Sequence, residues 1–292
     1  MTTTTQTTTT QTTRRPTRFS TALRGSPVAV RLGLACLALL VACAALSFLW
    51  TPYPASAPTG VVNAAPSAAH WFGTDATGAD VFSRTLTATR IDLGITLAVV
   101  TLALVCGALW GAVAAYVGGW FDAISMRILQ VMNAFPALLL AMLVIAALGG
   151  GLMSVVFVVA LIPLPDYVRL ARAEVLTKKH WQFADAARMV GRRPAGVLLR
   201  HLLPNSTRPL IAYAGINASW VVATVGSLGY LGLGIEPGSA EWGSMIAGGQ
   251  SGIVDGYWWI SFFPGVGIFL IAAGFHLVGD GLTDHDLLRR GH

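Results

Sequence analysis

Long stretches without a charged side chain constrain this sequence more than any other feature. Residues 93–121, 128–165, 209–235 and 256–279 contain no Asp, Glu, Lys or Arg. A soluble domain needs charge on roughly a quarter of its residues, and here the charged share is 11% while 54% is hydrophobic. The chain therefore reads as an all-α integral membrane protein. Each run reaches or exceeds the ~20 residues that carry a helix across the hydrocarbon, and helices satisfy their own backbone in lipid. A single helix over 128–165 would overshoot a ~30 Å layer. Gly149, Gly150 and Gly151 supply a break, while Pro163 and Pro165 predict a kink near the exit of the fourth span. With a first apolar run at 28–50, the expected count is six transmembrane helices.

The first residues, nearly all Thr and Gln, cannot bury a core, so 1–27 is expected to be a disordered cytoplasmic tail. A secretory signal peptide is the competing reading. The length of the 28–50 run, and Pro52 and Pro54 where a small-residue cleavage site would stand, favour a retained span. Residues 51–92 read as an extracytoplasmic loop with room for short helices, including an amphipathic one from Asp80 to Leu93. Residues 93–288 form a five-helix core, and 289–292 a second tail. With the amino terminus inside, 17 of the 19 basic residues fall in inner segments and only Arg84 and Arg90 outside. That satisfies the positive-inside rule, places both termini in the cytoplasm, and puts the acid-bearing loop 236–255 outside. The net charge of +6 thus reports orientation rather than nucleic-acid binding. Cys36, Cys43 and Cys106 sit in apolar runs without metal-ligand spacing.

One segment, 169–208, is dense in charge between spans. Trp181, Ala184, Ala187 and Val190 recur at helical spacing over 180–190, with Asp185 and Arg188 facing elsewhere. Gly191 is placed for a left-handed cap, Pro194 for the first turn of a second helix, and Pro204 for its end. Small side chains at Ala184, Ala186 and Ala187 would admit another surface closely. Periodicity alone also allows a helix lying on lipid headgroups, with Trp181 at the interface and Arg192 and Arg193 on anionic lipid.

Asp185-Ala186-Ala187, then Gly191, then Leu203-Pro204 resembles the EAA loop of permease subunits in ABC importers. Asp185 stands where Glu is usual, and His201 where an aliphatic residue is usual. Arg200 to Asn205 nonetheless read as the peptide-importer branch does. His70 to Asp75, with Gly78, Asp80, Ser83 and Arg84, resembles the dipeptide, oligopeptide and nickel permeases, although Ala79 replaces an arginine. Gly118-Gly119-Trp120, Asp122, Asn133-Ala134-Phe135-Pro136, Leu231 to Gly234, Glu241-Trp242-Gly243 and Gly279 to Leu282 fit the same pattern across residues 26–288.

The resemblance implies a subunit of an ATP-driven importer in the bacterial inner membrane. A coupling helix between the fourth and fifth spans would dock on a cytoplasmic ATPase through Trp181, Ala184, Asp185, Ala186, Ala187, Arg188, Gly191, Arg192 and Arg193. The implied partners are a second permease, two ABC ATPases or a fused one, an extracytoplasmic solute-binding protein, and membrane lipid. No phosphate-binding glycine loop occurs in this sequence, so ATP and Mg are expected in the partner subunits, with no cofactor or catalytic residue here. Peptides are the implied substrate, with glutathione or a nickel chelate as alternatives and a lipid-binding scaffold as a reading from another class. Charge-free spans argue against a proton-driven carrier. Asn133, Asn217, Ser219 and Trp220 are candidate pathway-lining groups or helix-to-helix hydrogen-bonding groups. Asp284-His285-Asp286 reads as a solvated end, not a metal site.

Overall fold

A computed structural model describes residues 27–233 and 238–290, without the side chains of Pro27, Arg188 and 284–290. The expected tail over 1–26, Glu236, and the side chains of Asp284, His285 and Asp286 lie outside the described residues. Among those residues there is no strand, only a bridge between Thr74 and Asp80. The helices are α1 (Pro27–Leu49), α2 (Val81–Val117), α3 (Gly119–Asn133), α4 (Ala137–Leu148), α5 (Leu152–Leu161) and α6 (Leu164–Lys178). They continue as α7 (Gln182–Met189), α8 (Pro194–Val197), α9 (Leu203–Tyr230), α10 (Trp242–Gly249) and α11 (Trp259–Arg290).

Four helical stretches are long and apolar enough to cross a membrane: Val28–Leu49, Val81–Val117, Pro194–Tyr230 and Trp259–Thr283. Counting each bent pair, α3 with α4 and α5 with α6, as one span gives six. The kink between α5 and α6 is 46° and falls at Ile162-Pro163, as the prolines predict. The sharper bend was not foreseen: α3 and α4 meet at 94°. Pro136 causes it, because a proline disfavours helical geometry in the preceding residue, Phe135. Gly149 and Gly151, at φ 84° and 124°, then turn the chain from α4 into α5.

Three boundaries differ from the sequence reading. α2 begins at Val81, not near Leu93, so the expected rim helix and second span are one rod of about 55 Å. Its polar first turns need no water, because the rest of the protein serves them. Asp80 caps the helix by accepting from Ser83 N at 2.8 Å. Arg84 donates to the carbonyls of Gly238 and Ser239, and Arg90 lies 4.7 Å from the centre of the Phe48 ring. α2 then ends at Val117, where Gly118 and Gly119 take positive φ, so Trp120 and Phe121 belong to α3. Residues 50–80 form no helix; turns fold them onto the bundle, with Phe72 stacked on Phe263 at 3.8 Å and Trp259 Nε1 donating to Thr74 O. Lastly, Pro204 does not end its helix. A π turn over Leu198–Leu202, closed by Leu203 N bonding Leu198 O, widens the backbone, and Pro204 sits in the first turn of α9. Proline clashes with the carbonyl four residues back, and the wider turn relieves that clash.

The core lies between α2, α5, α6 and α9 around Val99, Ala103, Val155, Val159, Tyr167, Val221 and Val225. α2 meets α6 closely at Gly107 and Gly111, where a Cβ would collide with Tyr167 and with the Val168 carbonyl. Without a hydrophobic drive between helices in lipid, such close approach supplies the packing. Aromatic side chains mark the ends of the bundle: Trp50, Trp71 and Trp258 at one, Trp120 and Trp181 at the other, all substantially exposed.

α10 was also not expected. Glu241, fully buried, caps it: Oε1 accepts from Gly243 N and Oε2 from Ser244 N, each at 2.7 Å. Asp92 of α2 accepts from Trp242 N at 3.2 Å, in the same turn that Glu241 caps. Burial pushes the Glu241 carboxyl above its usual range, opposed by its backbone donors.

Two outcomes are expected. Gly111→Val should cost about 1–3 kcal/mol, since the added atoms meet backbone that cannot yield, read by thermal unfolding in detergent. A carboxyl whose pKa rises on folding contributes fully below its ordinary value of about 4.3. That contribution is lost as pH climbs through the raised folded value. The same measurement across pH should therefore show stability declining with rising pH. Glu241→Gln should flatten that decline, because the amide removes the titrating group.

Candidate coupling site

The described end of the bundle that carries α7 is assembled from the last turns of α2 and α6, α7 itself, and α8. α6 runs to Lys178; Trp181 N bonds Lys178 O, and α7 follows at Gln182. It ends as the sequence predicts. Gly191 takes φ 78°, and Arg192 N bonds Ala187 O at 3.2 Å, the six-to-one bond of a Schellman cap. Pro194 opens α8 with Arg193 as its N-cap residue.

Ala184 and Ala187 are buried and pack on Ala112, Ala115, Val175, Val197, Leu198 and Leu202. Their smallness serves close seating of α7 on its own chain, not on another surface, which corrects that part of the reading. Of the three alanines only Ala186 is exposed. Asp185, Arg192, Arg193 and the backbone of Gly191 are also on the outside. Trp181 is half exposed, with its ring 6.0 Å from Phe183. The Arg188 side chain lies outside the described residues. Met189 and Val190, 81% and 83% exposed, form an apolar tip that sequence reasoning missed for a partner surface. Helical spacing puts Val190 on one stripe with Ala184 and Ala187, so the sequence carries no signal for its exposure. An exposed apolar patch rimmed by charge is the ordinary mark of an interaction surface.

Behind α7, Arg172 of α6 grips Asp122 of α3 with both forks, Nε to Oδ1 at 2.5 Å and an Nη to Oδ2 at 2.6 Å. Lys178 ties α6 to α9, donating to Glu174 Oε2 at 2.6 Å and to the Asn205 carbonyl at 2.7 Å.

The candidate pathway residues do not come together as one lining. Asn217 is buried and accepts from the Tyr167 hydroxyl at 3.3 Å, a bond between α9 and α6. Ser219 bonds back to Ile216 O within its own helix. Trp220 is exposed, on the outside of α9. Asn133 is exposed beside Arg169, whose guanidinium its amide oxygen accepts at 2.8 and 3.0 Å in the orientation that satisfies both groups. Arg169 also bonds Asp166, and Asp166 accepts from the Tyr213 hydroxyl.

A two-forked ion pair mostly out of water should show coupling. In a double-mutant cycle of Asp122→Asn and Arg172→Gln, thermal unfolding is expected to give an interaction energy of about 1–3 kcal/mol.

Similarity to known proteins agrees with this architecture. Residues 103–285 match the family described as binding-protein-dependent transport system inner membrane component. The probable D,D-dipeptide transport system permease protein DdpC of Escherichia coli K12 is 37% identical over 93% of this chain and 92% of its own length. The glutathione transport system permease protein GsiD of Pectobacterium atrosepticum is 39% identical over 76% and 74%. The dipeptide transport system permease protein DppC of Alkalihalophilus pseudofirmus is 37% identical over 75% and 72%. Among solved structures, a chain of the MetNI methionine ABC transporter in an inward-facing form has a TM-score of 0.53 at 16% identity, covering 72% of this chain and 96% of that one. With the fold, the order of motifs and these relatives in agreement, this chain belongs to the binding-protein-dependent transport system inner membrane components, the permease subunits of ABC importers.

Proposed function

We propose that this permease serves a peptide importer and that α7 is its coupling helix, seated on a cytoplasmic ATPase. The observation that carries the reading is the geometry of α7: a short capped helix pressed on its own bundle through Ala184 and Ala187, presenting Asp185, Ala186, Met189 and Val190 outward. Such a helix transmits a push because packed helices shift between discrete arrangements rather than bend. Asp185, Arg192 and Arg193 set charge complementarity at its rim, and the apolar tip supplies buried area. The chain itself hydrolyses nothing; ATP and Mg belong to two ATPase subunits or a fused one. A second permease completes the pathway, and an extracytoplasmic solute-binding protein delivers the substrate. The distribution of Lys and Arg supports a reading with α7 and both termini in the cytoplasm and α10 outside.

Dipeptides or oligopeptides are the substrate class, on the strength of relatives named for dipeptide transport. Glutathione, itself a peptide, is the second reading, favoured by the GsiD relative.

The importer, purified through a tag on this chain, tests the docking. Asp185→Ala and Gly191→Val, the latter forcing a branched side chain into φ 78°, should each lower ATPase retention on the order of tenfold. Wild-type retention and wild-type stimulated hydrolysis in both variants would refute the coupling assignment. Mass spectrometry of the ligand in the natively purified binding protein separates peptide from glutathione.

A further inference from the structure

Lys178 is the last residue of α6 and is 9% exposed, an unusual burial for an ammonium group. A charge so placed needs partners, and its two are specific. Glu174, one turn back on α6, supplies a carboxylate at 2.6 Å, and the other partner is the carbonyl of Asn205 at 2.7 Å, in the first turn of α9. That carbonyl is special because of Pro209. An α-helix would bond Asn205 O from the N–H of residue 209, but proline has none. The helix thus leaves one carbonyl without its regular donor, and a lysine from another helix fills that position. The two residues joined by this bond flank everything that hangs below the bundle: the turn at 179–181, α7, the glycine cap, α8 and the π turn.

We propose that Lys178 is the positioning residue for coupling, a strap that makes α6 and α9 move as one body with α7 between them. The proposal rests on the coupling reading of α7. Without the strap, a displacement of α7 would be shared between two limbs free to slide apart; with it, both limbs must follow. α9 continues unbroken toward the opposite end, where Gly229 packs against Glu241 so closely that a Cβ would strike the carboxylate. A push on α7 therefore reaches residues 238–256 through rigid helix and close packing.

The test uses the importer purified through a tag on this chain, with ATP plus vanadate as the probe and hydrogen–deuterium exchange as the readout. In the wild type, nucleotide trapping should alter exchange at residues 238–256. In Lys178→Met the ATPases should remain bound while that change shrinks on the order of fivefold or more. Pro209→Ala discriminates position from mere satisfaction. It restores an N–H to Asn205 O, so Lys178→Met/Pro209→Ala should recover thermal stability but not the exchange response, because the two helices stay untied. The double variant also carries the readout if Lys178→Met alone does not assemble. A full response in Lys178→Met with ATPases retained, or recovery of the response along with stability, overturns the strap. Absence of any response in the wild type instead removes the coupling reading, and the strap with it. Wild-type ATPase retention and stimulated hydrolysis in the Asp185 and Gly191 variants remove the coupling reading on which the strap rests, an outcome distinct from failure of the strap itself.

Discussion

Hydrocarbon offers no hydrogen bonds, and the arrangement of this permease follows from that. Backbone groups that enter the bundle have to find partners in the protein. Most buried side-chain polar groups do so too, Ser206 Oγ and Thr85 Oγ1 being exceptions among the described residues. Prolines make the constraint visible, since each removes a donor. Pro136 and Pro163 turn or kink the chain, Pro204 is accommodated by a π turn, and Pro209 leaves a carbonyl that Lys178 takes. Ionisable residues obey the same rule: Arg84 bonds two carbonyls, Arg172 a carboxylate, and Asp92 the Trp242 amide.

Much of the spanning architecture was legible because lipid-facing surface must be charge-free, and charge-free runs are countable. The cap at Gly191 and the start at Pro194 were legible because both depend on local backbone geometry. What failed were inferences that took a charged residue or a proline as a boundary. Asp92 and Arg84 do not end a helix when tertiary partners receive them, and those partners lie some 150 residues away along the chain. Pro204 does not end one when the preceding turn widens. Of the small residues of α7, Ala184 and Ala187 pack on their own chain while Ala186 is exposed, because spacing shows which residues share a face and not what that face meets. Among the polar residues of the apolar runs, Asn217 bonds a neighbouring helix, one of the two roles the sequence allows it.

The bundle joins two requirements that usually conflict. In the coupling role proposed for it, α7 would need an exposed apolar tip to meet a partner and a seat rigid enough to pass on a displacement. Ala184 and Ala187 meet the second requirement, and Met189 and Val190 are left for the first.

The bend at Pro136 has a consequence for the surrounding lipid. Asp122 and Asn133 lie eleven residues apart on α3, about 16 Å of helix, yet their partners Arg172 and Arg169 are only three residues apart on α6. α3 thus runs across α6, with Trp120, Ile124, Ile128 and Val131 exposed along it. A transverse rod at one end of a bundle displaces area from a single leaflet. Lying so in one leaflet, α3 would widen the footprint there, and the two monolayers would differ in lateral packing to close against it.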